Sequence, residues 1–371
     1  MGRRLLAFFS MLALWWPDLA GAENGFADGV RYVFITIQGS PRISVIDSRD
    51  DTVAGSLDAG LVPEQLESAG ELGRLVAIDG HSEQVSVVVL DSGKATLLPL
   101  DFVPTRVVVS ADGSKAVAAA PAAGRLAALD LRTLKVEAQA SGLPPFRDLL
   151  PTPDGAQVLL APQLGEAIAV HDLASGRQVG EVAPPRSGLG GFAVLTRAPS
   201  GRVAYARAAA APVLAAIDLR SGKATAVDIG AGVGRAYTNA IGITLVLPDN
   251  VRRSVDLLPA SLQGGISVAG EAGMTAVYSG WFDTVAFIPS TATRSVVVID
   301  QQSRRRGDDI ALGGVPGRGT VTPDGRKLYL PVMDGNRVAV INAEQRRLAG
   351  SVSLPGRPAI ALMTRTFGIC H

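Results

Sequence analysis

A chain of 371 residues in which 47 % are hydrophobic and 19 % charged has ample material for a core, which excludes a disordered protein. Lys+Arg at 35 against Asp+Glu at 34 gives a net charge of +1, which excludes a general binder of nucleic acid or anionic membrane. One cysteine excludes an internal disulfide and a thiolate zinc cage, while 42 Gly and 23 Pro point to many tight turns.

In chain order, Arg3 and Arg4 precede an apolar run from Leu5 to Trp16, and Ala20-Gly21-Ala22 follows. This is the three-part pattern of a secretory signal peptide over residues 1–22, cleaved after Ala22, and it predicts a periplasmic or secreted protein. The apolar run is too short for the roughly 20 residues that a membrane-spanning helix needs. No later stretch is long and apolar enough for a span.

Residues 23–371 then read as one repeat domain. A β-rich run ending in Asp or Asn returns at Asp47, Asp91, Asp130, Asp172, Asp218, Asp256, Asp300 and Asn342, a mean period of about 42. That length suits four short antiparallel strands, one propeller blade. The acid has a mechanical reason, since its carboxylate accepts backbone N–H groups and starts the turn that ends the strand. Between these marks fall Asp112-Gly113, Asp154-Gly155, Ser200-Gly201 and Asp324-Gly325, each a hairpin signal.

Before the first mark there is room for one strand, Tyr32 to Ile37, while a surplus strand from Ile360 to Thr364 follows the last blade. The C-terminal strand is therefore expected to complete the first blade and close the ring. The fold predicted is all-β, a single propeller of eight four-stranded blades, with seven as the alternative because the mark at Asp256 matches poorly. No segment carries the sustained 3.6-residue pattern of a helix–strand fold.

Runs such as Val107-Val108-Val109-Ser110-Ala111-Asp112-Gly113-Ser114-Lys115 and Thr322-Pro323-Asp324-Gly325-Arg326-Lys327-Leu328-Tyr329-Leu330 resemble the YVTN-type β-propeller repeat, a WD40-like architecture. The resemblance covers nearly all of residues 23–371. It implies one of three relationships: to binding propellers, to the heavy chain of methylamine dehydrogenase, or to the eight-bladed d1-haem domains of cytochrome cd1 nitrite reductase and its d1-haem assembly relatives. Eight blades tilt the comparison to the last group, with d1-type haem as the cofactor it implies. The repeat specifies fold far more than function.

The chemistry legible in the chain is sparse. Phe367-Gly368-Ile369-Cys370-His371 has Phe where a c-type haem motif needs its first cysteine. Cys370 and His371 remain metal candidates, against the plainer reading of a terminal thiol. His81, in the exposed Asp79-Gly80-His81-Ser82-Glu83 turn, is a third metal candidate, while His171 lies in an apolar strand and reads as a packed residue; the three histidines are too scattered for a His-rich site. The d1-haem relatives use a histidine on the iron, and none is assignable here. Gly188-Leu189-Gly190-Gly191 and Gly230-Ala231-Gly232-Val233-Gly234 lack the following Lys-Ser/Thr of a phosphate loop and read as inter-blade loops.

One pattern stands out. Arg106, Arg147, Arg235, Arg318 and Arg357 head the innermost strands or the closing strand, and such strands line the central channel of a propeller. From Arg106, Arg235 and Arg318 the next turn glycine lies 7 residues on, and from Arg147 it lies 8. Converging guanidiniums suit a carboxylate or phosphate, including a carboxylated tetrapyrrole. The competing reading pairs them with Asp148, Glu64 and Glu67 as stitches between blades. Tyr237, Trp281 and Phe282 fall near the same strands and offer flat surfaces. The expectation is an exported binding or assembly module, holding a partner protein or an anionic ligand in an arginine-ringed funnel. The alternatives are a d1-haem-related protein and a quinoprotein amine dehydrogenase heavy-chain-like subunit. No catalytic motif is present, so the reading leans away from an enzyme.

Overall fold

In the computed structural model, residues 25–365 are described; the expected leader 1–22, Cys370 and His371 lie outside them. The repeats fold as eight antiparallel sheets in which strands consecutive in the chain are hydrogen-bonded neighbours, except that the first sheet also takes in the last strand of the chain and the seventh has a split fourth strand. Within a blade the middle strands are sandwiched between neighbouring blades, so they read as unbroken apolar runs. Val285–Ser290 is buried at every residue. The outer strand faces solvent on one side and alternates, as in Lys135–Ala140. Apolar clusters span adjacent blades, with Phe34, Phe146, Phe192 and Phe287 fully buried.

Ring closure follows the expected device. Pro358–Leu362 pairs antiparallel with Tyr32–Ile37, so the first blade joins both ends of the chain. The strand begins and ends two residues earlier than the Ile360–Thr364 expected. Beside this seam, Lys327 Nζ lies 2.9 Å from both Asp51 carboxylate oxygens, and the Tyr329 hydroxyl donates to Asp51, tying the eighth blade to the first. Burial, then that bond, push the Tyr329 hydroxyl well above its ordinary pKa, so it stays protonated.

Eight blades settle the seven-or-eight question, and register corrects two of the marks. The equivalent position is the last residue of the third strand, opposite Tyr32 in the first blade (Asp47) and opposite Lys115 in the third (Asp130). In the second blade that place is taken by Val89, opposite Arg74, and in the sixth by Pro259, opposite Thr244. Asp256 lies inside the strand Ser254–Pro259 and pairs with Arg252, which is why it matched poorly. The true positions 47, 89, 130, 172, 218, 259, 300 and 342 are more even than the apparent ones. The one long step, 172 to 218, contains the loop 183–191 that leads into the fifth blade.

The turn chemistry is as the residues dictate. Asp47, Asp130, Asp172, Asp218, Asp300 and Asn342 each accept a backbone N–H two or three residues on. In the innermost hairpins Gly113, Gly155, Gly201 and Gly325 hold φ between 65° and 71°. The seventh blade departs from this pattern: Trp281, Phe282 and Asp283 are consecutive non-glycine residues with φ of 44°, 53° and 63°. The fourth strand of that blade is also broken, into Arg305–Arg306 and Ile310–Ala311, both paired to Ser295–Asp300. No helix among the described residues is long and apolar enough to cross a membrane.

Candidate functional site: the central channel

The innermost strands surround a cavity of about 460 Å³. Register defines its wall. Four residues before the residue that closes each innermost hairpin (Ser110, Thr152, Ala198, Asn239, Thr322) stand Arg106, Asp148, Val194, Arg235 and Arg318. Pairing places Gln65, Ala276 and Ile360 at the same level in the remaining blades. Two residues further on, and so on the same face of each strand, come Glu67, Val108, Leu150, Thr196, Tyr237, Tyr278, Thr320 and Leu362. All of these except Thr196 line the cavity.

Three of the five arginines singled out by sequence therefore meet here: Arg106, Arg235 and Arg318. Arg147 does not line the cavity. It is the extra residue of a β-bulge between Phe146 and Asp148, exposed, with Nη1 donating to the Pro162 carbonyl at 2.9 Å. Asp148 occupies the channel position instead, an acid where the sequence reading placed a base. The clue was the offset of 8 rather than 7, because one residue of slip turns a side chain to the other face. Arg357 precedes the strand Pro358–Leu362, is exposed, and does not line the cavity; the residue of this blade at the register level of Arg106 is Ile360, and Leu362 is the one that lines the cavity. Among the other candidates, His81 Nε2 is 3.2 Å from Glu64 Oε1, both largely exposed and away from the cavity. His171 is buried, with Nδ1 3.2 Å from the Gly176 carbonyl. No group of three or more His, Cys, Asp and Glu suited to a metal occurs among the described residues.

The cavity arginines are also paired, as the stitching reading foresaw, and two of the three pairs skip a blade. Arg318 in the eighth blade reaches over the first to Glu67 in the second, Nη1 to Oε1 at 2.9 Å and Nη2 to Oε2 at 3.4 Å. Glu67, acting through its charge and then opposed by burial, raises the Arg318 pKa, so this guanidinium is permanently charged. Arg235 in the sixth blade reaches over the fifth towards Asp148, at 3.8 Å, and Arg106 in the third is 3.3 Å from the same carboxylate. The small or aliphatic Val194 and Ile360 in the skipped blades leave room for these crossings. Asp148 is held by the Leu149 and Leu195 N–H groups at 3.0 and 2.9 Å. Tyr237 donates to the Thr275 carbonyl at 2.8 Å, and the Tyr278 hydroxyl accepts Gly319 N–H at 2.6 Å, which fixes both rings in the wall. The sequence named Asp148 and Glu67 as partners of the arginines without placing them in the channel, and it missed Tyr278 and Thr320, because two-residue spacing within very short strands gives no periodic signal.

Near the far end of the same strands, Arg197 in the fifth blade donates to the Pro151 carbonyl at 3.0 Å and Val109 at 3.5 Å. Burial lowers its pKa to about 10, so it remains a cation at neutral pH. The two glycine-rich loops are packing devices. A side chain at Gly230 or Gly232 would collide with the Asp249 carboxylate, and one at Gly191 with the Gly165 carbonyl.

No protein-family model matches the sequence, and no curated protein matches it. Solved structures do. One is the dihydro-haem d1 dehydrogenase NirN in complex with DHE, with a TM-score of 0.75 and 14% identity over 91% of this chain and 76% of that one. Another is apo AztD from Citrobacter koseri, with a TM-score of 0.67 and 13% identity over 90% of this chain and 97% of that one. A third is Kuenenia stuttgartiensis hydrazine synthase, with a TM-score of 0.52 and 16% identity over 86% and 95%. At these identities the likeness is one of fold: the chain is built as an eight-bladed β-propeller similar to that of a d1-haem protein.

Proposed function

We propose that this is an exported binding propeller whose central cavity takes up an anionic, carboxylated ligand. The observation that carries the reading is the convergence of Arg106, Arg235 and Arg318, from three blades at one register position, on a cavity of about 460 Å³. That volume lies within the range of small-molecule sites, roughly 300–1,000 Å³. Three guanidiniums face two carboxylates there, Asp148 and Glu67, so positive charge is in excess although the whole chain is near neutral. In a partly enclosed funnel such charge draws in anions, and guanidinium suits carboxylate. Export rests on the leader-like residues 1–22.

A second reading, a d1-haem-related role, is favoured by the likeness in fold to a dehydrogenase solved with DHE. The guanidiniums suit the carboxylates of such a tetrapyrrole. Among the described residues the cavity wall contains neither imidazole nor thiolate, and both wall tyrosines are already hydrogen-bonded, so these residues do not fit axial ligation of a haem iron by histidine. The residues support binding, and no catalytic step is derived.

Calorimetric titration of residues 23–371 with 2-naphthoate, and absorbance titration with coproporphyrin, test the proposal. Saturable binding of at least one of them near one equivalent, weakening as salt is raised, is the expected result. Absence of binding by both compounds would overturn it.

A further inference from the structure

We infer that the ligand presents a single carboxylate to the side of the cavity between Arg106 and Arg235, and that the site discriminates against polycarboxylates. The inference rests on the anion-binding reading and narrows its ligand class.

The three arginines differ in what they have left to give. Arg318 is spent: Glu67 takes both of its terminal nitrogens, and Nη1 also lies 3.3 Å from the Leu66 carbonyl. Arg106 makes one long bond, 3.3 Å to Asp148 Oδ1, and its buried Nε has no partner. Arg235 is only 24% exposed, yet among the described residues its nearest carboxylate oxygen is 3.8 Å away, beyond hydrogen-bond reach. Asp148 cannot close on either arginine more tightly, because backbone N–H groups hold both of its oxygens. Two guanidiniums therefore share one anchored carboxylate, which among the described residues leaves one positive charge and several N–H donors unmet in a partly desolvated wall. Such a group is costly to leave unpaired. One carboxylate between Arg106 and Arg235 would satisfy it.

A second carboxylate would find nothing comparable. The opposite wall offers Arg318 already neutralised by Glu67, so further negative charge meets the fields of Glu67 and Asp148. What that wall does offer is apolar and hydrogen-bonding surface: Leu362, the Tyr278 ring and Thr320, whose hydroxyl is buried without a partner. The ligand class is thus a monocarboxylate with a flat or apolar body carrying a neutral hydrogen-bonding group at its far end.

A charge series on one ring system tests this. Residues 23–371 are titrated by calorimetry with 2-naphthoate, naphthalene-2,6-dicarboxylate and naphthalene-1,4,5,8-tetracarboxylate. The monocarboxylate should bind tightest, with the tetracarboxylate weaker by about 10-fold or more, on the scale of one charge-assisted pair. Arg235→Ala should weaken 2-naphthoate by about 10-fold or more for the same reason, while Arg147→Ala, outside the cavity, leaves it unchanged. Thermal melts show whether each variant folds. If Arg235→Ala does not, Arg235→Lys keeps the charge and should still lose the two-pronged bond. Affinity that rises with carboxylate number, or an Arg235 variant that binds 2-naphthoate as tightly as the parent, overturns the inference while leaving an anion site standing. Failure of all three compounds to bind overturns the anion-binding reading itself.

Discussion

Phe282 shows what single positions cost and reveal. It is 69% exposed, at φ 53°, in the turn where other blades use glycine, and its ring stands edge-on to Trp281 with centroids 5.0 Å apart. A non-glycine residue held there costs roughly 1–3 kcal/mol, whereas an exposed aromatic pair returns roughly 1 kcal/mol or less. Strain wins, so Phe282→Gly should stabilise the protein by about 1 kcal/mol, read as a higher urea midpoint; a lower midpoint would show that the ring anchors the turn. The same scale decides what could be read of the site. Arg147 and Asp148 are neighbours in sequence, and the bulge at Arg147 exchanges their roles. Arg106, Arg235 and Arg318 kept a common distance to a turn glycine, a local measure that survives into three dimensions. Arg357 had no such turn ahead of it, so nothing fixed its register.

At the scale of the element, the repeat is a machine for ending strands. Hydrogen bonds from the Thr133 N–H, from the Ser175 hydroxyl and N–H, and from the Ser221 N–H hold Asp130, Asp172 and Asp218 below the ordinary carboxylate range. Their folded values are lower than their unfolded ones, so they stabilise the fold above the unfolded carboxylate pKa near 4, and that contribution is lost as pH falls through the folded values. The urea midpoint should hold between about pH 7 and 5 and fall below about pH 4. The joint Asp→Asn substitution at these three positions should flatten the fall, since Asn342 makes the same turn with a side chain that does not titrate. An unchanged slope would place the acid sensitivity elsewhere. These turns were legible because they are local chemistry. The sixth blade was not, because its third strand ends in Pro259 and the acid that drew the eye belongs to an ion pair with Arg252.

The whole molecule is legible from its ends and its period, since an unpaired first strand and a surplus last one have a single economical solution, a closed ring. Charge was the harder lesson. A total of +1 speaks only against non-specific binding of polyanions, for three guanidiniums collect in one channel and two of them share one carboxylate. Which acids answer them depends on crossings over a blade, from the sixth to the fourth and from the eighth to the second, and contacts at that sequence distance leave no local pattern. The most direct measurement is a crystal of the protein soaked with 4-iodobenzoate, its iodine located by anomalous scattering. The account predicts one strong iodine site inside the channel, with the carboxylate about 2.8 Å from guanidinium nitrogens of Arg106 and Arg235. An empty channel with iodine only on the outer surface would contradict it.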